Sequence, residues 1–317
     1  MNTTINLRRL AKIIGRLLSL ASNRLLRFAE PEIKPEESPA RDSPTTVTTR
    51  AIVITTFSER FFSDCIPLIK KLRSAQIELP IYVVVNADFG GHFNSQLRTD
   101  FLKALSNFRG CFPICSGRPL GMAALWNLGI RQSGADSNMI LSDDLSVDEN
   151  LVGECLHELF LRAERDCLVL LNDSFGHFAV NARCIETVGW FDERFLGFGQ
   201  EDGDYVWRYE EHFGRPVPRI QRSGLSNRGS SSGYDVIEAA ASTRSSLFNS
   251  EFLFAKYEFG AHGSHAGSFS QSAIRRIPEI DPYPIERWRQ RFLGLLFEKD
   301  AHRVQTEISR GLSHEPK

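Results

Sequence analysis

Residues 51–85 read AIVITTFSERFFSDCIPLIKKLRSAQIELPIYVVV. The run Ala51–Thr55 is short, apolar and β-branched, the pattern of a strand buried on both faces. Phe61–Ser74 changes period and puts Ile66, Ile69 and Leu72 on one side of a helix. Ile81–Val85 repeats the first pattern. Strand, helix, strand is the unit that joins parallel neighbours, which need a connection of about a dozen residues or more. The expected fold class is therefore α/β, with a mainly parallel central sheet covered by helices on both faces.

The alternation continues downstream. Gln96–Phe108 is predicted helical, as is Leu120–Arg131 after the turn Gly117-Arg118-Pro119. Asn138–Leu141 is a third strand, followed by Ser142-Asp143-Asp144. Asn150–Arg165 is a helix and Cys167–Leu171 a fourth strand. The pattern changes after Gly176: a short strand is expected near His177–Val180, and Ser223–Gly233 is rich in Gly, Ser and Asn, as a lid loop would be. Ile237–Phe259 and Ile285–Ile308 are predicted helical, with the Gly/Ser/His-rich stretch Ala261–Ser272 between them.

Upstream, Pro31–Thr49 is rich in Pro, Glu, Ser and Thr, the composition of a tether. Before it, Leu7, Leu10, Ile14, Leu17, Ala21, Leu25 and Phe28 recur at helical spacing among Arg8, Arg9, Lys12, Arg16, Arg24 and Arg27, with no acid before Glu30. A basic amphipathic helix over residues 5–28 suits an anionic membrane surface. It equally suits packing on its own domain or a partner, or a mitochondrial presequence. The resulting layout is a helix in 1–30, a disordered linker in 31–50, an α/β domain in 51–260 and a C-terminal loop and helical extension in 261–317.

The chain has 317 residues, 42% hydrophobic and 24% charged, with a formal net charge of −1. That balance gives no global field to attract nucleic acid, and no nucleic-acid partner is expected. Six scattered cysteines do not form a small disulfide framework, and the expected compartment is the reducing cytoplasm, with a candidate peripheral attachment to the inner membrane.

In an open parallel sheet, ligands bind where the strands end at their carboxyl side. Three polar groups fall there: Thr55-Thr56-Phe57-Ser58-Glu59, Asn86-Ala87-Asp88 and Ser142-Asp143-Asp144. Hydroxyls and carboxylates can read a nucleoside, and an acidic pair can hold a hard divalent cation or simply cap a turn. Further on, residues 191–208 read FDERFLGFGQEDGDYVWR. Gly197 and Gly199 permit close backbone approach. Glu201, Asp202 and Asp204 then fall in the first turn of a helix, where its dipole favours negative charge. Arg208 lies one turn beyond Asp204 and can pair with it. A carboxylate fixed there suits a general base, and the plainer alternative is a charged helix start.

Together these segments resemble family-2-type glycosyltransferases of the GT-A fold. The motifs are IVITTFSE (52–59), RPLGMAALWNLGI (118–130), MILSDDLSV (139–147) and GWFDERFLGFGQEDGDYVWR (189–208). FNSEFLFAKYEFG (248–260) is similar to a tail found in bacterial polysaccharide-type members.

The resemblance implies a sugar moved from a nucleotide-sugar donor, UDP-linked in the commonest class, to a hydroxyl of a glycan or lipid-linked acceptor. It implies Mn2+ or Mg2+ as cofactor, held by Asp144. Asp143 becomes a ribose or second-shell candidate, since Ser142 replaces the motif's first acid. Thr55, Glu59, Asn86 and Arg118 become donor contacts. Asp202 becomes the catalytic base of an inverting reaction, with Glu201 as its acceptor-binding neighbour. Many relatives carry a further metal-binding His after the acidic helix. Residues 222–229 contain none, and His262 and His265 lie farther on. The alternatives are a nucleotidyltransferase on a similar sheet and an inactive scaffold or glycan-binding subunit.

Overall fold

The computed structural model describes residues 48–87, 95–117, 119–227, 247–257, 292 and 300–312. The basic helix, the linker up to residue 47, Arg118, residues 228–233, His262, His265 and the stretch Ala261–Ser272 lie outside them.

Nine strands are described: β1 Arg50–Phe57, β2 Ile81–Asn86, β3 Cys111–Cys115, β4 Ser137–Ser142, β5 Leu145–Val147, β6 Leu168–Leu171, β7 Ser174–Asn181, β8 Arg219–Ile220 and β9 Leu225–Asn227. The helices are α1 Ile66–Ser74, α2 Ser95–Leu105, α3 Met122–Ser133, α4 Val152–Asp166, α5 Ala182–Val188 and α6 Glu201–Phe213, then α7 over 247–256 and α8 Ala301–Leu312. A π-helical turn, Phe61–Cys65, opens α1.

Seven strands form one sheet in the order β3-β2-β1-β4-β7-β6-β8. β1 pairs in parallel with β2 and β4, β2 with β3, and β6 with β8; only β7 opposes its neighbours. The mainly parallel sheet read from the sequence is present. The reversal at β7 has a local cause. Asn172 and Asp173, both at positive φ (50° and 58°), are the two residues between Leu171 and its partner Ser174. Two consecutive left-handed residues make the tight turn whose twist suits a hairpin, and Asn and Asp tolerate that conformation.

Side-chain alternation divides the core. Ile52, Ile54, Val83, Val85, Met139 and Leu141 face α1, α2 and α4, packing with Leu68, Leu72, Phe101, Leu156 and Phe160. Val53, Val84 and Ile140 face the other way, onto Trp126, Ile130, Tyr205 and Phe252 of α3, α6 and α7. Strands buried on both faces explain the continuous apolar runs in the sequence. α3 approaches the sheet through Gly129. A Cβ there would overlap Val53 Cγ1 and lie 3.1 Å from Val84 Cγ2. Gly129→Ala should therefore destabilise by about 1–3 kcal/mol in urea or thermal melts, overpacking outweighing the ~1 kcal/mol that Ala gains as a helix former.

One strand goes unread in the sequence and one expectation is corrected. Cys111–Cys115 forms the edge strand β3, which the apolar-run criterion passes over because Pro113 interrupts it; Pro is tolerated on an edge. The loop expected from Ser223 already contains a strand: Leu225–Asn227 pairs antiparallel with Leu145–Val147. Asn172 anchors its approach, donating to the carbonyls of Arg222 (2.9 Å) and Leu225 (2.7 Å). Among the described residues, no helix is long and apolar enough to cross a membrane.

Candidate functional site

The chain leaves β1 toward β2 and β3, then returns to β4 on the other side of β1. Ligand sites of open α/β sheets lie at such reversals, here the carboxyl ends of β1 and β4. Thr55 pairs with Ser142 in register there, so the polar residues after each strand meet. Thr55 is buried. Thr56 Oγ1 donates to Asp143 Oδ2 at 2.6 Å. Asp143 is 2% exposed. Burial pushes its carboxyl up to about 7, while Arg60 and then Thr56 oppose that rise. Arg60 Nη2 lies 2.8 Å from Asp143 Oδ1 and 3.6 Å from Asp144 Oδ2. Asp144 is partly exposed and accepts from the Ser142 hydroxyl. Glu59 is exposed, beside the Ser58 hydroxyl.

Asn86, at the end of β2, is fully buried. Its amide donates to the Leu120 carbonyl and accepts from the Leu120 N–H, both at 2.9 Å. It clamps the entry to α3. Gly121 follows, and a Cβ there would lie 2.9–3.2 Å from backbone atoms of Phe195 and Gly197. The Met122 N–H donates to the Gly197 carbonyl at 2.9 Å. The glycine loop before α6 is thus held against the start of α3. From the other side, the Phe198 ring lies 5.4 Å from that of Phe57, the last residue of β1. Glu201 and Asp202 therefore follow a loop seated on the same strand end as the Asp143–Asp144 pair.

Three of the four residues before Glu201 have positive φ: Gly197 at 66°, Gly199 at 99° and Gln200 at 73°. For Gln200 this left-handed backbone costs roughly 1–3 kcal/mol unless its surroundings impose it. The buried side chain of Asn249, in α7, supplies the restraint. It accepts from Leu196 N–H (2.8 Å) and donates to the carbonyls of Leu196 (2.8 Å), Phe198 (3.2 Å) and Gly199 (2.7 Å). Two turns along α7, buried Lys256 lies 2.8 Å from Asp192 Oδ2 and 2.6 Å from Asp204 Oδ1. Arg194 pairs with Asp192 at 2.7 Å, and Arg208 with Asp204 at 2.9 Å, the pair expected from their spacing. Burial alone would raise both aspartates, but Lys256 and then the arginines hold them below the ordinary range.

Glu201 differs. It is 6% exposed, and its Oε2 has no hydrogen-bond partner among the described residues. Burial, and then the neighbouring Asp202 charge, push its carboxyl up to about 8. The unfolded chain ionises this group near 4.5. Between those pH values the unfolded state holds fewer protons, so stability falls as pH rises. Glu201→Gln should remove that cost. Thermal melts should show the variant gaining on the order of 4 kcal/mol over wild type by pH 8 and almost nothing at pH 4. An equal gain at both pH values would reject this origin. The Asp202 carboxylate accepts from the Gly203 N–H at 2.8 Å.

Sequence reasoning missed Arg60, Asn249 and Lys256. Only Lys256 left a signal, as a lone cation in the apolar run 252–257. Among the described residues, no three His, Cys, Asp or Glu side chains surround a point suited to a metal ion. The donors at the β4 end do fit a hard cation. They are oxygens, and a guanidinium already bridges them. Mg2+ commonly takes one or two carboxylates and completes its shell with phosphate oxygens and water.

No family model and no curated protein matches the chain. Solved structures do. Glucosyl-3-phosphoglycerate synthase from Mycobacterium tuberculosis, in complex with Mn2+, UDP and glucosyl-3-phosphoglycerate, is 12% identical over 64% of this chain and 78% of that one, with a TM-score of 0.46. Mannosyltransferase PcManGT from Pyrobaculum calidifontis, in complex with GDP-Man and Mn2+, is 13% identical over 94% and 81%, with a TM-score of 0.45. S. aureus TarS is 8% identical over 62% and 38%, with a TM-score of 0.40.

Proposed function

We propose that this chain is an inverting, metal-dependent glycosyltransferase that moves a sugar from a nucleotide-sugar donor, UDP-linked in the first instance, to a hydroxyl of a glycan or lipid-linked acceptor. One observation carries the reading: Asp143–Asp144 and the loop that leads into Glu201–Asp202 both lie at the carboxyl end of β1, where the strand order reverses. The donor-handling domain is placed in 51–260. Attachment to a membrane surface through residues 5–28 remains part of the proposal.

Thr55, Asp143 and Glu59 line the nucleoside side, and Arg118 borders the donor by sequence. Asn86 contributes by fixing Leu120, its amide being engaged there. Asp144 would hold Mn2+ or Mg2+, which when bound offsets the negative charge that develops on the leaving diphosphate. Asp202 takes the proton from the acceptor hydroxyl. The freed oxygen pair attacks the anomeric carbon on the face opposite the diphosphate, and the bond from that carbon to the phosphate oxygen breaks. One displacement inverts the configuration. Glu201 keeps its proton near neutral pH and can donate a hydrogen bond to the acceptor.

A thermal-shift screen of UDP-, GDP- and dTDP-sugars with Mn2+ tests this. A true donor at 100 times its dissociation constant should stabilise by about 2.7 kcal/mol. Incubation without acceptor should release the nucleoside diphosphate slowly and only with Mn2+. Release of pyrophosphate would indicate nucleotidyl transfer instead.

A further inference from the structure

Arg60 has no part in the scheme above, yet it lies at the centre of the acidic cluster beyond β1. Its backbone is pinned: the N–H donates to the Phe57 carbonyl at 3.1 Å, and the carbonyl accepts from Asp64 and Cys65 in the π-helical turn. A π-helical turn is uncommon and often marks a functional position. The side chain reaches from this fixed base to three carboxylates. Nη2 is 2.8 Å from Asp143 and 3.6 Å from Asp144, and Nε is 3.7 Å from Asp64.

The partners are held unequally. Asp143 is buried, at hydrogen-bonding distance from Arg60 and also tied to Thr56. Asp144 is partly exposed, and its Oδ2 lies beyond hydrogen-bonding distance. Asp144 is thus the partner that Arg60 can give up. The guanidinium also carries a planar fork of donors suited to phosphate oxygens.

Resting on the assignment of the cation to Asp144, we propose that Arg60 is a resident counter-ion of the donor site. It neutralises the Asp143–Asp144 pair when nucleotide and metal are absent. It competes with a divalent cation for Asp144, and it transfers to the donor diphosphate when both arrive. Two cations cannot share Asp144 Oδ2 without repulsion, so the metal alone binds weakly. A nucleoside diphosphate gives Arg60 a new partner and relieves that competition. Nucleotide and metal then bind with positive coupling, each raising the affinity for the other by the same factor.

The test is Mn2+ titration by calorimetry or EPR on the full chain, alone and with saturating UDP or GDP. Wild type should bind Mn2+ more tightly with the nucleotide than without it. Arg60→Gln should bind Mn2+ alone about tenfold more tightly than wild type, and its coupling to nucleotide should shrink by a similar factor, within the usual span of such couplings. Should that variant not fold, Arg60→Lys, whose compact ammonium lacks the fork, should shift both quantities the same way by about threefold. Unchanged or weaker Mn2+ binding in the variants, with Asp144→Asn abolishing it, overturns the role of Arg60 and leaves the cation site standing. Mn2+ binding that survives Asp144→Asn, or that is absent from wild type with and without nucleotide, overturns both.

Discussion

Asp202→Asn is expected to lower turnover by about 10²–10⁴-fold, the usual cost of losing a general base. The substitution is conservative for the fold. An Asn side chain keeps the oxygen that accepts from the Gly203 N–H, so the start of α6 retains its local contact. What disappears is the ability to take a proton. Nucleotide-sugar binding, measured by thermal shift with Mn2+, should stay near wild type, because the proposed donor contacts are Thr55, Asp143 and Asp144. Loss of donor binding in parallel with turnover would make Asp202 a structural residue and remove it from the mechanism. Glu201→Gln separates the two acids. It should gain stability at alkaline pH while losing activity, the trade expected of a residue kept in an unfavourable place for function.

The largest stability effect is expected at Lys256. Lys256→Met nearly preserves shape but removes the cation between Asp192 and Asp204, leaving two buried carboxylates that keep, among the described residues, Arg194, Arg208 and the Tyr257 hydroxyl. Breaking one member of a buried ionic group typically costs about 3–5 kcal/mol. In a domain of this size, that is a fall in melting temperature of roughly 10 °C. The pH dependence follows from the depressed carboxyls. Their contribution is fully present above the ordinary aspartate range and is lost as pH falls through the folded values. The difference between wild type and Lys256→Met should therefore be largest near neutrality and shrink in acid. A constant difference across pH would assign Lys256 a packing role only. Replacing Asp192 by Asn alongside Lys256→Met should recover part of the loss.

The parallel half of the fold was legible because each strand there is buried on both faces and each connection is one helix, so period and length carry the signal. β1, β2 and β4 begin and end within a few residues of where Ala51–Thr55, Ile81–Val85 and Asn138–Leu141 place them. The hairpin at Asn172-Asp173 was harder, since two polar residues after an apolar strand also begin many ordinary loops. β9 was hidden because three residues in a Gly/Ser/Asn-rich stretch become a strand only when β5 is beside them. The acidic groups stood out as candidates because clustered carboxylates are conspicuous at strand and helix ends. Their supports could not. Asn249 acts on Leu196 53 positions away and Lys256 on Asp192 64 positions away, and although Lys256 stands out as a lone cation in an apolar run, nothing local identifies the partner of either. Arg60, a single charge after a strand, has nothing in its sequence neighbourhood that links it to Asp143, 83 positions away.

The grip of Asn249 on residues 196–199 bears on biosynthesis. A nascent polypeptide that has emerged only as far as α6 already carries every carboxylate assigned here, yet lacks the clamp that sets Glu201 and Asp202 in place. Competence must therefore wait until α7 clears the ribosome, and a premature stop ahead of residue 249 should yield protein that retains its acids but transfers no sugar.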